Sequence, residues 1–342
     1  MQKIIVFTDP NKDVDDLIAI IMLNNMQKAN IIKISGIVTV HGNAETTYKR
    51  ALYTQAISRL IGNNLKVCAG IPEDYDDSLS NIKVNKFFDT VGLNEIINKA
   101  DKSKIMDNSE LYLKKIFEKA DYKSLDLLIL AQMTDCYNFS KIHPTLFCDK
   151  VRSITIMGGI EEKNNKFIPD NSTNNANDFE ASTNLYKFIY NNNIPTKFID
   201  RFATMNVPVT LSFYEDLKIS NKIIGDFVYK SKQDSIKGLY EGLLNGESLT
   251  RQTPEWFYRT FTNIKEKDYE KYKAKGTNPE ALNEVLNKVV KLNLYDPLTL
   301  IATIDGFKKF FKVESKKSCF ELLMPKDHKS IYENFNKWAK IS

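Results

Sequence analysis

Four aspartates, Asp9, Asp13, Asp15 and Asp16, fall within eight residues of the segment FTDPNKDVDDLIAI (7–20). They follow directly on the apolar run KIIVF (3–7), so the first acid ends a strand and the others lead into an apolar helix. Like charges at this density repel one another in a folded protein, and a bound cation is the natural compensation. An EF-hand is excluded: its sixth position is Val14 where Gly is needed, and its twelfth is Ile20 where a bidentate Glu belongs. An aspartyl-phosphate phosphatase would carry a second Asp two residues after the first, where this chain has Asn11. A helix N-terminus accounts for one or two acids through its dipole, but not for four with Asp9 fixed at a strand end. The expectation is a metal site at an active centre.

The elements that must position these acids can be read from the apolar runs. KIIVF, IIKISGIVTV (31–40), LKVCA (65–69), LDLLILA (125–131), VRSITIM (151–157) and TKFI (196–199) read as strands. Segments of helical periodicity, such as LIAIIMLNNM and TTYKRALYTQAISRL, separate most of them. This alternation predicts an α/β fold with a mainly parallel central sheet flanked by helices, and a helical, charge-rich segment from Asp216 to Lys291. Neither repeats nor a Pro- or Ser-rich linker occur, so a single domain over 1–342 is expected. Polar clusters follow the strands: Asp9–Asp16, His41-Gly42-Asn43, Gln132-Met133-Thr134-Asp135 and Gly158-Gly159. In open parallel sheets ligands bind outside the carboxyl ends of strands, so these turns predict one cleft for a small molecule.

Composition narrows the classes. Forty-eight Lys and Arg against 43 Asp and Glu give +5, spread along the chain rather than gathered into a nucleic-acid face. No apolar run approaches the roughly 20 residues of a membrane span, and with a strand opening almost at once no signal peptide is expected. Four scattered cysteines, with no C-x-x-C pair, fit a reducing, cytoplasmic setting, with export lacking a recognisable signal left open. Three histidines, His41, His143 and His328, argue against a His-rich zinc site.

The ordered motifs resemble the inosine–uridine-preferring nucleoside hydrolase family, as a divergent member. Asp9-Pro10 followed by Asp15-Asp16 and an apolar helix is similar to its D-P-G-x-D-D, or to the divergent D-x-G-N-D-x-D-D. GIVTVHGNAETT (36–47) resembles G-I-T-T-V-x-G-N, KVCAGIP (66–72) V-x-x-G-x-P, and LAQMTD (130–135) L-G-P-L-T-N. ITIMGG (154–159) resembles I-V-x-M-G-G, TNNANDFEAS (173–182) F-N-x-x-x-D-P-E-A, and LYDPLT (294–299) H-D-P-L-A. The matches cover roughly the first 200 residues plus 290–303, and their joint order carries the resemblance.

The resemblance implies calcium-dependent hydrolysis of the N-glycosidic bond of a ribonucleoside or nucleoside-like riboside, releasing base and ribose. Such a reaction passes through an oxocarbenium-like sugar and needs an activated water, a grip on the ribose and relief of the leaving base. Calcium, with six to eight oxygen ligands, serves the first two needs. Carried over residue by residue, Asp9 is calcium ligand and general base, Asp16 a bidentate ligand, and Asp296 closes the metal site together with the backbone carbonyl of Thr134. Asp15, Asn43 and Asn174 would hold ribose hydroxyls, with Met157 packed against the sugar; Asp13 has no assigned task. Each has a plainer rival: Asp296 before Pro297 as a helix N-cap, Asn43 as a turn residue, Asn174 as a loop residue.

Departures from the family pattern matter equally. Tyr295 stands where the family has a His before its late Asp, and Phe88 where it has a second His, so the usual leaving-group acid is missing. Tyr295 could stack or donate its hydroxyl proton, although a phenol is a reluctant acid near pH 7. Ser172 replaces a Glu that grips the 5′-hydroxyl, which removes a charge that would repel a 5′-phosphate. The alternatives are thus a hydrolase of a 5′-substituted riboside (a nucleotide or ADP-ribose derivative) or a catalytically weakened ribose-binding protein on the same fold. Trp256 and Tyr258 could line a base pocket or simply pack, and Arg201 could reach the 5′ end of a substrate or pair with an acid. Relatives commonly form dimers or tetramers.

Overall fold

The computed structural model describes residues 1–10, 14–73, 93–164, 166–220, 222–246, 252–274, 276 and 278–340. Asp13 and Phe88 lie outside these described residues. Among the described residues thirteen strands are found: β1 Gln2–Thr8, β2 Ile32–Thr39, β3 Val67–Ala69, β4 Ile105–Met106, β5 Leu125–Ile129, β6 Val151–Met157, β7 Ile160–Lys163, β8 Lys166–Pro169, β9 Thr196–Ile199, β10 Val209–Thr210, β11 Lys291–Leu292, β12 Phe311–Lys317 and β13 Phe320–Pro325. Nine form the central sheet in the order β12-β13-β9-β6-β5-β1-β2-β3-β4. Every pairing in it is parallel except β12 with β13. Two small antiparallel ribbons, β7–β8 and β10–β11, lie outside it. The expected mainly parallel α/β sheet is therefore present, and the six expected strands are β1, β2, β3, β5, β6 and β9.

Side chains alternate across the sheet as the period-2 geometry of strands requires. Ile4 and Val6 of β1 and Leu128 of β5 enter one apolar layer, while Ile5, Phe7, Leu127 and Ile129 enter the other. Helix α1 (Val14–Lys28) is buried from Val14 to Met26 because it packs between the sheet and the late helices. Its all-round hydrophobicity marks a core helix rather than an amphipathic surface one. Four further helices carry site residues: α2 (Ala44–Leu60), α3 (Thr134–Ile142), α4 (Thr173–Asn177) and α5 (Tyr295–Thr303).

The strand order sets the place of the site. Successive strands run outward from β1 through β2 to β4 on one side, and from β5 through β6 to β9 on the other. The order thus reverses between β1 and β5, the crevice where parallel sheets bind ligands. Backbone bonds tie the carboxyl ends there: Leu130 N–H donates to Phe7 O (2.8 Å) and Val40 N–H to Thr8 O (3.0 Å). The Asp216–Lys291 segment is largely helical, with helices Lys222–Leu244, Pro254–Phe261 and Pro279–Leu286 among the described residues. Within it the Tyr258 hydroxyl is buried against that of Tyr240 (2.6 Å), and Trp256 packs edge-on against Phe261. Both aromatics therefore have packing roles. No helix among the described residues is long and apolar enough to cross a membrane.

Candidate active site

Asp15 and Asp16 open α1 immediately beyond the end of β1, and both are buried. Asp16 Oδ1 accepts from the Thr8 hydroxyl and from the Asp9 backbone N–H at 3.1 Å, so the strand end itself orients this carboxylate. Asp15 Oδ1 accepts from the Asp16 N–H at 3.1 Å. Asp296 comes from the first turn of α5, which packs on α1. Leu294, not Asp296, is the N-cap of that helix, so capping does not explain the acid's buried position. One oxygen each of Asp15, Asp16 and Asp296 lies within 4.8 Å of the others. Three buried carboxylates this close are a hard oxygen-donor set suited to a divalent cation.

Asp9 is not part of this triple; its carboxylate turns toward Arg50, with Oδ2 3.7 Å from Nη1. Arg50, on α2, is fully buried, and Nη1 also donates to the carbonyls of Val40 (2.6 Å) and His41. Its Nε and Nη2 have no hydrogen-bond partner among the described residues. Burial lowers the Arg50 pKa, opposed by the negative field of Asp9, Asp16 and Glu73. Burial likewise lifts the Asp9 carboxyl above the usual range, opposed first by Arg50 and then by His41. A carboxylate so raised accepts a proton more readily than a solvated one.

The ribose-binding candidates occupy the surrounding turns. Asn43 caps α2, its Oδ1 accepting from Thr46 N–H at 2.9 Å, so the capping role is present and its Nδ2 group is left for other partners. Asn174 Nδ2 bridges the ends of two strands, donating to Leu130 O (2.8 Å), Met157 O (3.3 Å) and Met157 Sδ (3.1 Å). Met157 is thereby fixed as the last residue of β6. Asn175, fully buried, ties the same loop to Gly159 O (3.0 Å) and Asp170 Oδ1 (2.8 Å). Ser172 is buried, and its Oγ has no hydrogen-bond partner among the described residues. Arg201, just beyond β9, donates to Asn171 Oδ1 at 2.8 Å, one residue from Ser172. Thr134 begins α3, and its hydroxyl donates to Asp178 Oδ2 at 2.6 Å. Tyr295 is the first residue of α5, beside Asp296.

Two participants escape a reading of motifs, Arg50 and Glu73, whereas Asp178 stands in the TNNANDFEAS motif without an assigned role. Glu73 lies against His41, Gly42 and Gln132. Burial would raise its carboxyl, but the hydrogen bonds from His41 and Gln132 outweigh that and hold it below the usual range. Arg50 leaves a usable trace in sequence: it shares the helical face of the uncharged Thr46, Thr47 and Thr54, a strip in which a lone cation stands out. Glu73 leaves none, because its partners come from distant segments.

The sequence model of the family described as inosine-uridine preferring nucleoside hydrolase matches residues 4–321. Among solved structures, the chain is similar to the type III effector protein XopQ complexed with adenosine diphosphate ribose. That match has a TM-score of 0.82 and 24% identity, over 99% of this chain and 92% of that one. It is also similar to a purine-preferring ribonucleoside hydrolase from Gardnerella vaginalis (TM-score 0.63, 17% identity, 100% of both chains). An inosine-uridine preferring nucleoside hydrolase from Bacillus anthracis gives TM-score 0.62 and 15% identity, again over 100% of both chains. Comparison with curated proteins gives no match. At these identities the structural likenesses establish the shared fold.

Proposed function

The chain belongs to the inosine-uridine preferring nucleoside hydrolase family, and from that premise we propose that it hydrolyses the N-glycosidic bond of a ribonucleoside or nucleoside-like riboside with calcium as cofactor. The observation that carries this reading is the buried Asp15–Asp16–Asp296 group at the reversal of strand order. Three carboxylates from two ends of the chain would destabilise the fold by mutual repulsion unless a cation sat among them. Asp16 and Asp296 hold that cation, joined by Asp9 and the Thr134 carbonyl; Asp15 borders both the cation and the sugar. When bound, the cation acidifies a water and orients ribose oxygens.

The protein's own groups do the rest. Asp9, held beside the metal site by Arg50, takes a proton from the attacking water. Asn43 and Asn174 hold ribose hydroxyls, Asn174 being set by the strand ends it bridges. Met157 lies against the sugar, and Tyr295 borders the base. Phe88 keeps its proposed place near the base on the resemblance alone.

A second reading, a riboside substituted at its 5′ position, is favoured by the neighbourhood of Ser172. Serine leaves that position itself uncharged, the nearby Asp170 carboxylate is taken up by the Ser172 N–H (2.9 Å), the Gly159 N–H (3.2 Å) and Asn175 Nδ2 (2.8 Å), and the Arg201 cation is bonded to the adjacent Asn171. The XopQ structure, solved with adenosine diphosphate ribose, has the same fold. Purified protein with calcium, given a panel of nucleosides, nucleotides and NAD, is expected to release free base, and a chelator or Asp9→Ala to abolish release. Turnover of phosphorylated substrates alone selects the second reading. Calcium and ribose binding with no turnover on any substrate would leave only a binding protein.

A further inference from the structure

His41 is held in a way that a simple turn does not require. It follows β2 at the same sheet edge as Asp9, with a left-handed backbone (φ +69°) that costs a non-glycine residue about 1 kcal/mol. Arg50 grips its carbonyl. Glu73 grips its ring: both carboxylate oxygens lie 3.4 Å from Nδ1. The same carboxylate accepts from Gly42 N–H at 3.2 Å, while the Glu73 N–H donates back to Gly42 O at 3.0 Å. The Gln132 amide donates to Glu73 as well. Glu73 could fix this turn through Gly42 alone, and an imidazole adds nothing to that task. The ring is 22% exposed, against 12% for its partner carboxylate. Nε2 lies on the ring edge away from Nδ1 and makes no hydrogen bond among the described residues. Arg50 Nη1, which holds the His41 carbonyl, also lies 3.7 Å from Asp9 Oδ2, so the turn carrying the ring adjoins the water-activating carboxylate. A carboxylate-anchored imidazole with one nitrogen left over is the arrangement of a proton donor.

We propose that His41, positioned by Glu73, is the acid that protonates the departing base, a role resting on the N-ribosyl hydrolase reading above. As the C1′–N bond breaks, its electron pair passes to the base and a ring nitrogen of the base takes the Nε2 proton. The water oxygen bonds to C1′ and gives a proton to Asp9. Transfer of that proton through solvent to the neutral imidazole resets the pair, so riboside and water become ribose and neutral base with no other reactant. The charged groups nearest this turn are Glu73, Asp9 and Arg50.

The test compares leaving groups. Calcium-loaded wild type, His41→Gln and Glu73→Gln are assayed on nucleosides or nucleotides and on 4-nitrophenyl β-ribofuranoside and its 5′-phosphate, whose phenolate departs without a proton. His41→Gln is expected to lose about 100-fold or more in kcat on base-bearing substrates, yet to stay within about threefold of wild type on the nitrophenyl ribosides. Glu73→Gln is expected to lose about tenfold on the former only. Equal losses on both substrate types would reduce His41 to a turn residue, and no loss on either would remove it from the chemistry. A wild type inert toward all four substrates would overturn the hydrolase reading and this proposal with it, whereas nitrophenyl turnover alone would preserve the reading.

Discussion

Asp16 is fixed from two sides, by the Thr8 hydroxyl and the Asp9 amide, before any ligand arrives. Asp296 is its counterpart from a distant segment, and the two sign their presence differently. In chelator, Asp296→Asn should stabilise the protein by about 1 kcal/mol, because one of three clustered charges is gone. With saturating calcium the order should invert, as the variant loses the stabilisation that ligand binding gives to the folded state. Thermal melts with and without calcium check the crossing, and calorimetry should show affinity weakened by about 100-fold. The acids were legible because four of them sit within one short segment and no structural role accounts for all. Their division was less legible: spacing cannot tell which carboxylates converge, and Asp15 joins Asp16 and Asp296 while Asp9 turns to Arg50. His41 was visible only as part of a polar turn, since its partner Glu73 follows a different strand.

Strand β2 carries a local irregularity that shapes the sheet beside the site. Ile4 of β1 pairs with Ile34, but Ile5 pairs with Gly36, so one residue of β2 is extra. A Cβ at Gly36 would lie 2.6 Å from Ile116 Cδ1 and 3.0 Å from the Tyr112 hydroxyl. The missing side chain lets that hydroxyl enter the ladder, accepting from Ile37 N–H at 3.3 Å and donating to Lys66 O at 2.9 Å. Gly36→Val is therefore expected to cost about 2–3 kcal/mol through overpacking and loss of this bridge. Tyr112→Phe should cost about 1 kcal/mol, both read from urea midpoints. Buried parallel strands were readable because both faces are apolar and the run is continuous. The late hairpin was not: β12 reads FKVESKK and is exposed after its first residue, the charged composition of an edge strand that resists further pairing. β4, with two residues, is too short to give any pattern.

At the scale of the molecule, the two ends of the sheet carry opposite duties. Away from the site, Asp126 is fully buried and receives Gln2 (2.8 Å), Ser153 (2.7 Å) and Arg152, which also reaches Asp305 (2.7 Å). Lys197 of β9 lies near this cluster, its Nζ 3.4 Å from Ala302 O. Burial, aided by Lys308, lowers its pKa from 10.5 to about 8. The folded state thus sheds this proton before the unfolded chain does, so the stability linked to Lys197 is present above 10.5 and lost as pH falls through 8. Lys197→Met should be more stable than wild type at pH 7 by about 3 kcal/mol, with the advantage shrinking between pH 8 and 10.5, as paired denaturation curves would show. That surface anchors the strands on which the opposite, ligand-facing edge depends. The α5–α1 contact there joins the acids of the first helix to one from a distant, later segment of the chain. On a ribosome, a nascent chain carrying only Asp15 and Asp16 has an ordinary acidic helix start. The three-carboxylate grouping comes into being only after the Tyr295 helix has emerged and docked, so cation binding would report that the chain has been made and folded as far as that helix.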